Sequence, residues 1–380
     1  MPRGSGLKIG RVFGIPIYLS SSWFLIFALI TYSYATGLGD TQWSTPQRWA
    51  VGIAVSVLFF SSLVFHELSH SVVALHYKIP VASITLFIFG GVARITREPK
   101  TASQEFQIAV AGPLSSYFLA LVFFLGSLLT APHSMLNLVT ETLAVINGAL
   151  ATFNLLPGFP LDGGRIFRSI VWGINKNYER STRIAARSGQ VIAYAMMGGG
   201  MLWAVRAYST NGDVVQGLWL VFIGWYLLTA ARQSYVQVEA EGALEGLHVA
   251  DLMTPDLPSV KRDITLEEYA QEVARSGRRA HLVISDGQLA GLMTVPVLQT
   301  VPREEWATTS VQAVMLPRDG LHWAAPEESA LALLERMRNA NVEEMAVGTG
   351  GNLVGLVTRD SILRVVQARV NLQHLHAAKH

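Results

Sequence analysis

Cysteine is absent from the 380 residues, which excludes disulfides, thiolate zinc sites and a cysteine nucleophile. Charge is scarce as well. Only 15% of residues are Asp, Glu, Lys or Arg, against about 25% in an ordinary soluble domain. With 51% hydrophobic residues and a mean hydropathy of +0.35, the chain reads neither as a typical cytosolic enzyme nor as a disordered segment. Neither sign of charge dominates, because 29 basic residues face 27 acidic ones. A net charge of +2 gives no electrostatic footprint for a nucleic-acid partner.

The two halves differ more than the total does. Residues 1–236 carry 16 basic and 8 acidic side chains, whereas 237–380 carry 13 and 19. The first part is apolar and the second has ordinary soluble composition, so a membrane domain (1–236), a linker (237–247) and a soluble domain (248–380) are expected. Stretches of about 20 apolar residues can cross a hydrocarbon core of roughly 30 Å. Six qualify: Ile15–Gly37, Trp49–Tyr77, Phe106–Ala131, Met135–Leu156, Ile184–Tyr208 and Val214–Ala231. Glycines at 198–200 and 217 soften the last two. The first exceeds the apolar length of a signal peptide and lacks a clear cleavage site, so it reads as a retained span.

Lys and Arg concentrate in cytoplasmic loops. Arg3, Lys8 and Arg11 precede the first span, Lys78, Arg94, Arg97 and Lys100 follow the second, and Arg165, Arg168, Lys176, Arg180 and Arg183 follow the fourth. All fall on one side if six spans begin and end in the cytoplasm. An integral, multi-pass protein with cytoplasmic N- and C-termini is expected, in a bacterial inner membrane or an organellar one.

The second span reads VLFFSSLVFHELSHSVVALHY. His66 and His70, four residues apart, project from one helix face, with Glu67 beside them. In this H-E-x-x-H pattern the two imidazoles bind zinc and the carboxylate takes a proton from the water that zinc polarises. Chance places such a pattern in on the order of one chain in a hundred of this composition. A polar or charged group in hydrocarbon costs at least about 2.5–3.5 kcal/mol, so three together call for a compensating ligand. A catalytic zinc needs three protein ligands and an open position. Asp162, in NLLPGFPLDGGR (154–165), lies at the same membrane side as the histidines. Pro157 and Pro160 break the helix there, and Gly163 and Gly164 are expected to let the backbone turn sharply. Asp162 can therefore approach the histidines, or can simply start a helix.

HELSH in one apolar helix and LDGG in a later one closely resemble the site-2 protease family of intramembrane zinc metalloproteases. The resemblance implies His66, His70 and Asp162 as ligands of one catalytic Zn2+ and Glu67 as catalytic base. The usual run Asn-x-x-Pro-x-Pro-x-x-Asp-Gly is kept at Asn154, Pro157, Asp162 and Gly163, with Phe159 at the second proline position and a proline at 160. Between spans two and three, β-branched and aromatic residues flank Gly90 and Gly91, the pattern of a hairpin. A lone hairpin edge presents free backbone groups that can hold an unwound substrate by strand addition. The resemblance implies that this hairpin is re-entrant and receives substrate, and favours substrate binding for Asn154. The Asn154 amide can bond substrate backbone or an oxyanion, or tie two helices together. Ala111-Gly112-Pro113 in span three resembles the family's helix-packing kink and reads as structural.

The soluble end repeats itself. VADLMTPDLPSV (249–260) matches VQAVMLPRDGLHW (311–323), and LVISDGQLAGLMTVPVL (282–298) matches MAVGTGGNLVGLVTRDSIL (345–363). Two similar units of about 60 residues should pack together, here 248–303 and 311–371. They resemble a tandem pair of cystathionine-β-synthase (CBS) domains, which implies an adenine nucleotide or a homodimer contact. Such pairs hold ribose with an acidic residue three places after a motif threonine. Here Val297 follows Thr294 and Ser361 follows Thr358, with Asp360 displaced by one, which counts against the nucleotide.

The fold class expected is a polytopic α-helical membrane protein of about six transmembrane helices with a re-entrant β-hairpin, followed by a soluble α/β CBS pair. The function expected is a zinc endopeptidase that cuts transmembrane segments of protein substrates within the bilayer, with the CBS pair regulating or dimerising it. A transporter or channel regulated by the pair is the alternative. It lacks support from any ladder of charges across the bilayer.

Overall fold

The computed structural model describes residues 6–37, 43–88, 90–210, 212–255, 258–285, 287–340, 342–349 and 352–377. Contacts divide the chain into two units, Met1–Val238 and Glu239–His380.

The first unit opens with strands β1 (Leu7–Val12) and β2 (Ile15–Leu19) and helices α1 (Ser21–Gly37) and α2 (Thr45–His76). Strands β3 (Val81–Phe87) and β4 (Gly90–Ile95) follow. Then come α3 (Ala102–Leu128), α4 (Met135–Asn154), α5 (Asp162–Asn175), α6 (Tyr178–Ser209) and α7 (Val214–Leu244). Among the described residues, α2, α3, α4 and α7 are long and apolar enough to cross a bilayer, with mean hydropathies of 1.9, 2.1, 1.3 and 1.7 in their most apolar stretches. Helix α1 has 17 residues, and the 32 residues of α6 include Glu179, Arg180, Arg183, Arg187 and Arg206.

The first apolar stretch is not helical throughout. Ile15, Ile17 and Leu19 are buried while Pro16 and Tyr18 are only partly so, the period-two alternation of a strand. Ile15 and Ile17 pack with Ile84, and the helix begins only at Ser21. The expected hairpin is present, with β3 antiparallel to β4 and Leu86 opposite Gly91 and Phe87 opposite Gly90. It is not a lone hairpin. The sheet runs β1-β2-β3-β4, with β2 parallel to β3, so β3 is interior and β4 forms one edge, packed against α2.

Local chemistry sets the helix ends. Gln47 Oε1 accepts from the Ser44 backbone N–H at 2.8 Å before α2. The Thr101 and Ser134 hydroxyls accept from the Gln104 and Asn137 backbone N–H groups at the starts of α3 and α4, each satisfying an orphan donor. Helix α4 stops at Asn154, and α5 starts at Asp162. The bend therefore falls on 155–161, which holds both prolines, while Gly163 and Gly164 lie inside the first turn of α5 and do not make the turn expected of them. Helices α6 and α7 meet through small residues: a Cβ on Gly200 would come within 2.7 Å of the Gly217 carbonyl oxygen. The glycines at 198–200 do not interrupt α6.

In the second unit, the end of α7 packs into a core. The residues read as a linker are helical as far as Leu244, and Ala243 and Leu244 are buried with Val249, Leu252 and Leu333. The elements are α8 (Val249–Leu252), β5 (Ser259–Lys261), α9 (Leu266–Ser276), β6 (Ala280–Ser285), β7 (Gln288–Thr294) and α10 (Val295–Leu298). They are followed by α11 (Val311–Val314), β8 (Leu316–Pro317), β9 (Trp323–Ala324), α12 (Ala330–Ala340), β10 (Glu344–Thr349), β11 (Asn352–Thr358) and α13 (Arg359–Ala377). Helices α9 and α12, strands β6 and β10, and strands β7 and β11 each begin 64 residues apart. Both repeats set a parallel strand beside an antiparallel hairpin, with an irregularity at the equivalent Val283/Ile284 and Val347/Gly348 steps. The repeats interlock, because Thr254 of the first bridges Leu356 of the second.

Glu344 opens β10 with its carboxyl largely out of water. Burial pushes that carboxyl up to about 7, Glu343 and Asp360 push the same way, and Arg279 opposes them. An unfolded chain titrates this group near 4.5, so the folded state holds the extra proton between about pH 4.5 and 7. The stability linked to it is full below 4.5 and is lost as pH rises through 7. We predict that Glu344→Gln matches the wild type at pH 5 but unfolds at a higher temperature at pH 8, read from amide exchange of β10 on heating.

Candidate metal centre

Helix α2 carries His66 and His70 one turn apart, and both are 4% exposed. Their Nε2 atoms lie 3.2 Å from each other. Asp162 Oδ2, from the first residue of α5, is 3.1 Å from His66 Nε2 and 3.2 Å from His70 Nε2. Asp162 does not cap its own helix. Leu161 occupies the cap position, and the Asp162 carboxylate turns to the imidazoles, 96 and 92 positions away in sequence.

The other ring nitrogens are held by α3. His70 Nδ1 is 2.6 Å from the Ile108 carbonyl oxygen, which can only accept, so Nδ1 carries the proton. A neutral His70 then presents its lone pair at Nε2. His66 Nδ1 is 2.9 Å from Ser116 Oγ. This is the outer support that metal-binding histidines need, a partner on the far nitrogen that fixes ring orientation. With both Nε2 atoms unprotonated, two lone pairs and a carboxylate crowded into a buried spot repel one another unless a cation lies between them. Zinc binds at about 2.0–2.1 Å in tetrahedral geometry, which places neighbouring donors about 3.3 Å apart. The observed separations of 3.1 to 3.2 Å fit that ion, and three protein donors leave a fourth position open. Among the described residues this is the one group of three His, Asp or Glu donors able to hold a metal.

Backbone proximity completes the site. Gly112 faces both imidazoles, and a Cβ there would come within 2.7 Å of His66 Nε2 and closer still to His70. Gly91 of β4 lies against Glu67, whose Cγ would be 2.6 Å from an added Cβ. Glu67 Oε2 accepts from the Ala93 backbone N–H at 3.1 Å, so the carboxylate sits on the β4 edge. Gly90 adopts a φ of +131°, where L side chains are strained, and a Cβ added there would meet nothing within 4 Å. Asn154 ends α4, half-buried, and its side chain makes no hydrogen bond with the described residues.

The structure thus brings His66, His70 and Asp162 to one point and sets Glu67 and Gly91 together. The sequence reading missed Ile108 and Ser116 as outer partners and took Gly112 for helix packing alone. A glycine before a proline inside an apolar span was the only available signal, and it does not say what it faces.

The second unit holds a cleft of about 370 Å³ whose walls include Arg278, Arg279, Thr358, Arg359, Asp360 and Arg364. Asp360 Oδ2 lies 3.6 Å from Arg279 Nη1 of the other repeat. The buried Ser361 hydroxyl is engaged at the start of α13, accepting from the Thr358 N–H at 3.1 Å and donating to the Thr358 carbonyl at 2.8 Å.

Comparison with known proteins follows the same division. Peptidase family M50 matches residues 54–142 and 130–196, and the CBS domain matches 249–295 and 311–368. The chain is 34% identical over 376 residues to sll0528 of Synechocystis sp., provisionally named a zinc metalloprotease, covering 96% of each. It is 28% identical over 361 residues to the zinc metalloprotease MJ0392 of Methanocaldococcus jannaschii, covering 95% of this chain and 96% of that one. A solved site-2 protease from the same archaeon is 30% identical and covers 60% of this chain and 95% of its own, with a TM-score of 0.43. Similarity at this level over nearly the whole length, with both domain matches in place, makes the chain a member of the site-2 protease family of zinc metalloproteases, peptidase family M50, bearing a CBS-domain pair.

Proposed function

We propose that the chain is an intramembrane endopeptidase that cuts transmembrane segments of other membrane proteins near the cytoplasmic side. His66, His70 and Asp162 hold the zinc, and Glu67 is the catalytic base. The observation that carries this reading is the meeting of three donor atoms at 3.1 to 3.2 Å where an apolar helix packs in the membrane unit. Zinc bound there supplies Lewis-acid polarisation of a peptide carbonyl and of water. Glu67 takes a proton from the attacking water and returns it to the leaving amine. The Ala93 N–H holds Glu67 on the β4 edge. That edge supports strand addition by an unwound substrate, with Gly91 leaving room beside the carboxylate. The Asn154 amide, without a hydrogen bond among the described residues, is assigned to the substrate backbone or the oxyanion.

We assign catalysis to residues 1–236, in six spans with both termini cytoplasmic, a topology that the basic loops suit, and with the hairpin re-entrant, as the family resemblance implies. Residues 248–380 are assigned a regulatory or dimerising role. Four arginines in the cleft, against Glu343, Glu344 and Asp360, leave it a small positive excess that suits an anionic ligand, while the engaged Ser361 hydroxyl leaves the ribose position of an adenine nucleotide without its acid.

Glu67→Gln is predicted to lower cleavage of a membrane substrate in detergent by about 10²–10⁴-fold, the usual contribution of a general base, with zinc content unchanged. Undiminished turnover sinks the assignment. Gly112→Ala is predicted to push the imidazoles apart, so that zinc analysis finds well under one ion per chain and activity falls by about 100-fold.

A further inference from the structure

Outside the donor cluster, Glu105 of α3 is fully buried and Arg168 of α5 is 5% exposed. Arg168 Nε donates to Glu105 Oε1 at 2.8 Å, and its Nη2 makes a second close contact with the same oxygen. Nη1 donates to Thr182 Oγ1 of α6 at 3.3 Å. The guanidinium carbon lies 4.9 Å from the Phe159 ring centroid and 4.6 Å from that of Tyr178. Glu98 and Arg165 approach the pair at 3.7 and 3.9 Å.

A buried ion pair adds little net stability, because desolvation offsets the attraction. What it does impose is geometry. A planar fork between two aromatic rings, with two N–H groups on one oxygen, admits few alternative arrangements. The elements it joins are the ones that build the site. Glu105 lies three residues before Ile108, on one face of the helix that holds the Nδ1 atoms of both histidines. Arg168 lies six residues after Asp162, about 9 Å along α5. Phe159 belongs to the irregular segment that leads into Asp162.

We propose that Glu105 and Arg168 are positioning residues that set the register of α5 against α3, and thereby the approach of Asp162 Oδ2 to the two Nε2 atoms. This rests on the reading of His66, His70 and Asp162 as zinc ligands. Loss of an outer partner of a metal site typically costs 10–100-fold in affinity, and a shift in register acts on the ligand itself.

The experiment uses the full chain in detergent. Zinc affinity is measured by competition with a chromophoric chelator, and ligand geometry is read from the visible bands of the cobalt form. Absence of zinc binding in the wild type overturns the ligand reading, and this proposal with it. With wild-type binding intact, Arg168→Lys keeps the charge but loses the fork, and Glu105→Gln keeps the shape but loses the charge. Each is expected to weaken zinc binding about 10-fold and to alter the cobalt bands. The double variant is expected to be no worse than the weaker single one, because the two act as a unit. Wild-type affinity with an unchanged cobalt spectrum in either variant overturns the proposal. If Arg168→Lys does not yield folded protein, the isosteric Glu105→Gln decides alone.

Discussion

Two imidazole nitrogens and a carboxylate oxygen meet within about one tetrahedral edge of each other in surroundings that offer little water. Much of the first unit is arranged around that meeting. Helix α2 must turn one face toward it. Helix α4 must stop early enough for a non-helical stretch to deliver α5 with an aspartate at its first position. Helix α3 must lie close enough to hold both Nδ1 atoms, which is why a glycine faces the rings where any side chain would collide with them. Each requirement is a packing condition on a different helix, and together they leave the bundle little freedom at this level.

The sheet serves the same centre from another side. Its four strands leave β4 as an edge, and the carboxylate of Glu67 occupies one outward N–H of that edge. The proposed base is thus oriented by backbone rather than by another side chain. On the proposed reading, the strand that receives substrate also holds the base.

The second unit obeys a different logic. Its stability rests on ordinary burial of Leu333, Met337, Met345 and Val357 in one core and of Leu266, Tyr269, Val283 and Met293 in another. Its two repeats keep a 64-residue spacing through helix, strand and strand. The second repeat departs from the nucleotide-binding pattern near its end, beside the cleft. Ser361 stands where an acid is expected and is engaged in capping a helix. Asp360 reaches instead toward Arg279 across the cleft.

Composition, periodicity and spacing determined that an apolar part precedes a repeat of ordinary charged composition, that His66 and His70 share a helix face, and that a hairpin follows. Those features are local, governed by the 3.6- and 2-residue repeats of the backbone and by turn residues. The alternation at Ile15, Ile17 and Leu19 was equally local, but it lay inside a continuous apolar run, where length argued for a span and hid the strand. Only the tertiary structure decided that Asp162 serves the histidines rather than its own helix, that β4 holds Glu67, and that Glu105 meets Arg168. Each of those pairs joins residues 26 to 96 positions apart. No pattern within one element encodes how far a neighbouring helix slides or turns before its side chains interlock.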